Sequence, residues 1–210
     1  MGAPGWVEML TCKNHRGGTA KVESDLSGYF EMAKVPKRYR GARFADFYPD
    51  PDRAALVEAQ AYVKDWPPRH PFLTLMSERK GNGKTMLAVA TLTEAQVRHQ
   101  VQARFWPVVD VLDRYKASFG SEFGLKTEDI DAELRRVPLL ILDDLGAEKG
   151  TEWTRERLYS LINARYNDLS PTIFTTNVDL AAFDERIASR LMDHRTGNVV
   201  ELVGRDRRAA

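Results

Sequence analysis

Residues 139–177 constrain the fold more tightly than any other stretch of the chain. They read L-L-I-L-D-D-L-G-A-E-K-G-T-E-W-T-R-E-R-L-Y-S-L-I-N-A-R-Y-N-D-L-S-P-T-I-F-T-T-N. Four apolar residues, Leu139 to Leu142, run into two carboxylates, Asp143 and Asp144, and a helix-patterned stretch then leads to a second apolar run ending in Thr-Asn. An uninterrupted apolar run of this length fits a strand covered on both faces of a parallel sheet. Acids at its carboxyl end fall where open α/β sheets bind ligands. Upstream, Lys80 to Thr85 reads K-G-N-G-K-T, most of a phosphate-binding loop. A phosphate loop after one strand and an acid pair after another are the two halves of a magnesium–nucleotide site. The chemistry expected of such a site is ATP hydrolysis.

The rest of the chain has a matching rhythm. Strands are predicted at Phe72–Met76, Ala103–Val108, Leu139–Leu142, Thr172–Thr175 and near Asn198–Leu202. Helices are predicted at Asp52–Trp66, with Asp52 as N-cap and Pro67-Pro68 as stop, and at residues 85–102, Val109–Ser118, Thr127–Arg136, Glu152–Asp168 and Asp184–Asp193. A glycine-broken loop separates Ser118 from Thr127. Strands alternating with helices imply an α/β fold with a doubly wound parallel sheet, here a P-loop NTPase core. The organisation expected is a short N-terminal extension over 1–35, a basic-aromatic connector and helix over 36–66, and the ATPase core over 67–210.

In a phosphate loop, glycines let backbone N–H groups approach the phosphates. The cradle expected here is Arg79, Lys80, Gly81, Asn82, Gly83, Lys84, Thr85 and Met86. Lys84 would reach the β- and γ-phosphates, and the Thr85 hydroxyl would ligate Mg²⁺. The motif asks for glycine at position 78, where this chain has Glu78. A side chain there is expected to strain the loop entry and to oppose a triphosphate, with Arg79 and Lys80 offsetting the charge. Asp143 is expected to hold Mg²⁺ with Thr85, and Asp144 to orient or deprotonate the attacking water. Asn177, ending the next strand, would bond the water or the γ-phosphate; the plainer reading is a turn residue. Arg186 and Arg190 lie at i and i+4 in E-R-I-A-S-R-L. They are either solvated or ion-paired surface charges or arginine fingers aimed at a neighbour's γ-phosphate.

Charge excludes little. Lys and Arg number 31 against 30 Asp and Glu, so the chain carries no global nucleic-acid signature. Residues 1–45 nevertheless hold eight Lys/Arg against four acids, and residues 186–210 hold six Arg against three. A single cysteine rules out internal disulfides and suits a reducing cytoplasm. Cys12 and His15 have metal-ligand spacing but no second pair beside them. No apolar run nears the roughly 20 residues that span a bilayer.

The ordered motifs resemble a known family. P-K-R-Y-R followed by F, then K-G-N-G-K-T, L-D-D-L-G, T-E-W with L-Y-S-L-I-N-A-R-Y, P-T-I-F-T-T-N and R-I-A-S-R-L occur in the order found in AAA+ helicase loaders of the DnaC/DnaI type. IstB-type transposition ATPases are close relatives of that group. The resemblance covers roughly residues 36–204. It implies an AAA+ core that binds single-stranded DNA, assembles as a homo-oligomer and loads a hexameric replicative DNA helicase with ATP and Mg²⁺. It matches Glu78–Thr85 to Walker A, Asp143 and Asp144 to Walker B, Asn177 to sensor 1 and Arg190 to the finger. It also implies a DNA-contacting helical insertion after the second strand, with Arg114, Tyr115, Lys116 and Phe119 as candidates; a helix that packs its aromatics inward is the alternative. The chain leaves no room for a full C-terminal helical lid, and Gly204-Arg205-Asp206-Arg207 is read as its remnant without a sensor 2 arginine. A transposition-associated ATPase and a non-hydrolysing helicase–DNA adaptor are the rival functions.

Overall fold

The computed structural model describes residues 26–118, 126–146 and 151–206. Five strands, β1 (Phe72–Met76), β2 (Ala103–Pro107), β3 (Leu139–Leu145), β4 (Thr172–Thr176) and β5 (Gly197–Glu201), form one sheet in the order β2-β3-β4-β1-β5. Every pairing is parallel. A parallel sheet needs crossovers, and helices supply them. These are α1 (residues 26–32), α2 (Arg53–Tyr62), α3 (Lys84–His99), α4 (Val108–Ser118), α5 (Thr127–Arg136), α6 (Glu152–Asn167) and α7 (Glu185–Leu191).

Successive strand residues point to opposite faces, and both faces are covered. Leu73, Leu75, Phe105, Leu139, Ile141 and Ile173 pack into one cluster with Phe30, Ala55, Ala59, Leu87 and Leu92. Phe72, Trp106, Leu140, Leu142 and Phe174 pack into the other with α4 to α7, through Leu112, Ile130, Leu161 and Ile187. That explains the unbroken L-L-I-L run. Alternate residues serve different cores, each burial worth about 1.5–3 kcal/mol. Residues 26–66 join the first cluster through Leu26, Val35, Phe44 and Phe47.

Several boundaries differ from the sequence expectation. Helix α2 stops at Tyr62, where Lys64 N–H turns back to the Ala61 carbonyl, short of the expected Trp66. Helix α3 stops at His99 because Gln100 adopts a left-handed φ of 56°. Strand β3 runs on through both acids to Leu145, with a register shift against β4 between Leu142 and Leu145. Asp52 stands at the N-cap position of α2 but makes no capping hydrogen bond. Its buried carboxylate instead accepts from the backbone N–H groups of Val203 (2.7 Å) and Gly204 (3.0 Å), just past β5. No helix among the described residues is long and apolar enough to cross a membrane.

One buried cation holds the far end of the sheet. Arg165 on α6 is 1% exposed. Its Nε donates to Thr172 Oγ1 (2.7 Å), Nη2 to the Pro171 carbonyl (2.6 Å), and Nη1 to the carbonyls of Leu134, Arg135 and Val137 (2.8–3.1 Å). Leu134 and Arg135 end α5, where carbonyls lack helical partners. Burial pulls the guanidinium down to about 10. Arg165→Leu would strand these carbonyls in the core. The expected loss is about 3 kcal/mol, or a Tm lower by about 6–12 °C for a chain of this size, read by thermal unfolding.

Candidate functional site

Strand order brings the two halves of the site together. β4 lies between β1 and β3, so the segments leaving all three strands emerge side by side. Ser77 N–H, the first past β1, donates to the Thr176 carbonyl at the end of β4 (3.1 Å).

The phosphate loop turns at Gly81 (φ 75°) and Gly83 (φ 103°), a backbone region open to glycine at little cost. A Cβ at Gly81 would also lie 1.8 Å from Asp206 Oδ1. Glu78 is exposed and is not among the residues with positive φ. Its backbone therefore asks for no glycine, and the strain expected at the loop entry does not arise. Beneath the loop, Asn82 is fully buried and donates to Ser77 Oγ (2.7 Å) and the Leu202 carbonyl (3.0 Å). Asn82 thus braces the loop with its side chain and leaves only its backbone N–H for a phosphate. Lys84 Nζ donates to the Arg79 carbonyl and to Asn82 Oδ1, both at 3.0 Å. Arg79 and Lys80 are exposed, and Arg79 Nη1 donates to the Val203 carbonyl (3.2 Å). Met86 packs against the core. Helix α3 begins at Lys84, so its positive end faces whatever the loop cradles.

Thr85 reaches across to the acid pair. Its hydroxyl donates to Asp143 Oδ1 (2.9 Å), and the Thr175 hydroxyl donates to the same oxygen (2.7 Å). Thr175 Oγ1 also accepts the Asp144 N–H (2.9 Å), the bond that spans the irregularity in β3. Asp144 sits there with φ 61°, which turns its carboxylate into solvent. Asn177 Nδ2 donates to Asp144 Oδ1 (2.5 Å), while Asn177 Oδ1 is buried without a partner among the described residues. Burial pushes the Asp143 carboxyl above its usual range, Thr175 and Thr85 pull it back, Asp144 adds to the rise and Arg38 opposes it.

Among the described residues no cluster of three or more His, Cys, Asp or Glu is placed to hold a metal. A hydroxyl and one carboxylate fit Mg²⁺ nonetheless. It takes one or two protein oxygens and fills its remaining positions with water and phosphate. Lys84, Thr85, Asp143, Asp144 and Asn177 are therefore brought to one place, as the sequence implied.

The remaining candidates stand apart. Arg186 pairs with Glu156 (2.6 Å) and Asp184 (3.1 Å), whereas Arg190 bonds to Asn163 and Tyr159 on α6. Among the suggested DNA contacts, Tyr115 is fully buried, with its hydroxyl on Asp131 (2.6 Å) and its ring edge-on to Trp153. It cannot stack on a base, so the inward-packing alternative holds for this residue. Arg114 pairs with Glu133 and Lys116 with Asp113. Phe119, Cys12, His15 and Arg207 lie outside the described residues. Sequence reasoning missed Thr175, which reads as an ordinary β-branched strand residue, and Arg38, one basic residue among several in the connector.

A β2-β3-β4-β1-β5 parallel sheet with this loop, acid pair and Asn177 defines an AAA+-type P-loop nucleotide-binding protein. Residues 5–198 match the IstB-like ATP-binding protein family, and the chain belongs to it. It is 26% identical over 145 residues to the replicative helicase loader DnaC of Escherichia coli, covering 69% of this chain and 58% of that protein. It is 23% identical over 199 residues to the phage-like element PBSX protein XkdC of Bacillus subtilis, covering 87% and 73%. The chain spans 50–58% of the first curated relatives it matches. The crystal structure of the DnaC helicase loader superposes with a TM-score of 0.68 at 27% identity, over 80% of this chain and 99% of that one. AMPPCP-bound DnaA from Aquifex aeolicus shares the fold, with a TM-score of 0.64 at 19% identity over 80% and 51%.

The raised Asp143 carboxyl has a stability consequence. The folded chain holds this proton more tightly than the unfolded chain does. Its contribution is therefore present below the usual aspartate range and is lost as pH rises through the folded value. Asp143→Asn keeps an acceptor for both threonines but never ionises. Without nucleotide or magnesium it is expected to raise Tm at pH 7, where the wild-type carboxyl is ionised against its burial. Melting curves across acidic pH should show the gain vanish once the wild-type carboxyl is protonated.

Proposed function

We propose that this chain is a Mg²⁺-dependent ATPase that loads a replicative DNA helicase onto single-stranded DNA in the cytoplasm. The observation that carries the reading is the link from Thr85 to Asp143 to Thr175, with Asp144 and Asn177 beside it. Three motifs distant in sequence supply neighbouring oxygens and nitrogens of the kind a metal–triphosphate needs. Lys84 exchanges its loop partners for the β- and γ-phosphates, and the N–H groups opening α3 face the same anion. Thr85 and Asp143 would hold Mg²⁺, which would supply neutralisation of the charge gathering on the phosphate oxygens. Asp144 orients the attacking water and accepts its proton, and Asn177 fixes that carboxylate. Arg38, close enough to influence Asp143, adds positive potential from the connector. The helicase role is supported by similarity to the DnaC loader in sequence and fold. Residues 1–35 are proposed to bind the partner.

A second reading, a transposition-associated ATPase, is favoured by the family match itself. The two share the whole site and differ only in partner. Affinity capture from the native host with a slowly hydrolysed ATP analogue separates them. A hexameric helicase, lost with Lys84→Ala, supports loading; a transposase in its place overturns it.

The enzyme claim has its own test. Lys84→Ala is expected to weaken ATP binding by roughly 10- to 100-fold. Asp144→Ala is expected to bind ATP normally and to lose turnover by about 100-fold. Turnover equal to wild type in both variants would leave only the adaptor role.

A further inference from the structure

Arg186 and Arg190 stand one turn apart on α7, yet their charges are handled differently. Arg186 is neutralised by two carboxylates, Glu156 and Asp184. Arg190 is oriented by neutral oxygens. Its Nε donates to Asn163 Oδ1 (2.7 Å), Nη2 to the Tyr159 hydroxyl (3.0 Å), and Nη1 to the Arg186 carbonyl (2.6 Å). Its guanidinium carbon lies 4.9 Å from the ring centre of Tyr159 and 5.7 Å from that of Tyr166. None of the ion pairs among the described residues includes Arg190. A carboxylate would orient this planar fork and cancel its attraction for an anion. Neutral acceptors and ring faces orient it and leave the attraction intact.

Among the described residues the hydrogen bonds of Arg190 go to α6 and α7, and none reaches the phosphate loop, the acid pair or Asn177. Within one chain it is held ready but not engaged. We infer that Tyr159 and Asn163 are positioning residues that set the Arg190 guanidinium for the γ-phosphate bound by a second copy of this chain. This rests on the ATPase reading and adds to it which residues prepare the charge supplied in trans. Lysine could not replace Arg190, because a single ammonium nitrogen lacks the rigid planar fork whose separate nitrogens, Nε and Nη2, meet Asn163 and Tyr159.

The test uses the full chain, with ATP, Mg²⁺ and oligo-dT. Tyr159→Phe keeps the ring and removes only the hydroxyl; Asn163→Ala removes the Nε acceptor. Each is expected to lower kcat by about 10- to 100-fold, with KM for ATP within about twofold of wild type. The double variant mixed in equal amounts with Lys84→Ala should regain turnover. Intact loops of the first would then meet intact Arg190 of the second. Undiminished kcat in the double variant overturns the inference, as does failure of the mixture to recover. A matching rise in KM would mean a structural role and overturns it too. Absence of turnover in wild type would sink the ATPase reading itself, and the inference with it.

Discussion

The site depends on the placement of β4 between β1 and β3. Parallel pairing fixes Met76 opposite Thr176 on one side and Phe174 opposite Leu142 on the other. Whatever follows β1 must then emerge beside whatever follows β3, with the end of β4 between them. Thr175 ties that geometry together through hydrogen bonds. One hydroxyl accepts from the backbone of Asp144 and donates to the side chain of Asp143. The irregular end of β3 can therefore turn one acid toward the loop and the next toward solvent without leaving an N–H unsatisfied.

The loop is satisfied from within. Lys84 lies on Asn82 and the Arg79 carbonyl, Asn82 on Ser77 and Leu202, and Thr85 on Asp143. A triphosphate entering this cradle would give the Lys84 ammonium anionic phosphate oxygens in place of the neutral Arg79 carbonyl and Asn82 Oδ1, a stronger pairing of opposite charges. The loop can thus be pre-shaped and still bind.

Much of this was legible in the sequence because the signals were physical. The L-L-I-L run needs two cores, and the structure supplies them. K-G-N-G-K-T needs left-handed glycines and a following helix, and it has both. Harder to read were features fixed by contacts distant along the chain. Asp52 has the composition of a helix cap, yet its carboxylate serves N–H groups about 150 residues later. Tyr115 has the composition of a stacking platform, but α4 turns it against α5 and α6. Glu78 departs from the motif, but position 78 does not use the backbone freedom that glycine would provide. Arg165 looks like one more arginine on a charged helix, because no pattern announces a cation that will meet only carbonyls and a hydroxyl.

The segment after β5 is fastened at three points. Asp52 holds the N–H groups of Val203 and Gly204, Arg79 holds the Val203 carbonyl, and Asn82 holds the Leu202 carbonyl. Two of those three fasteners are residues of the phosphate loop itself. The exit from the last strand is therefore a mechanical lever on the nucleotide cradle. A pull on residues 202–206 is transmitted to the loop within a single hydrogen bond, with no need to disturb the sheet.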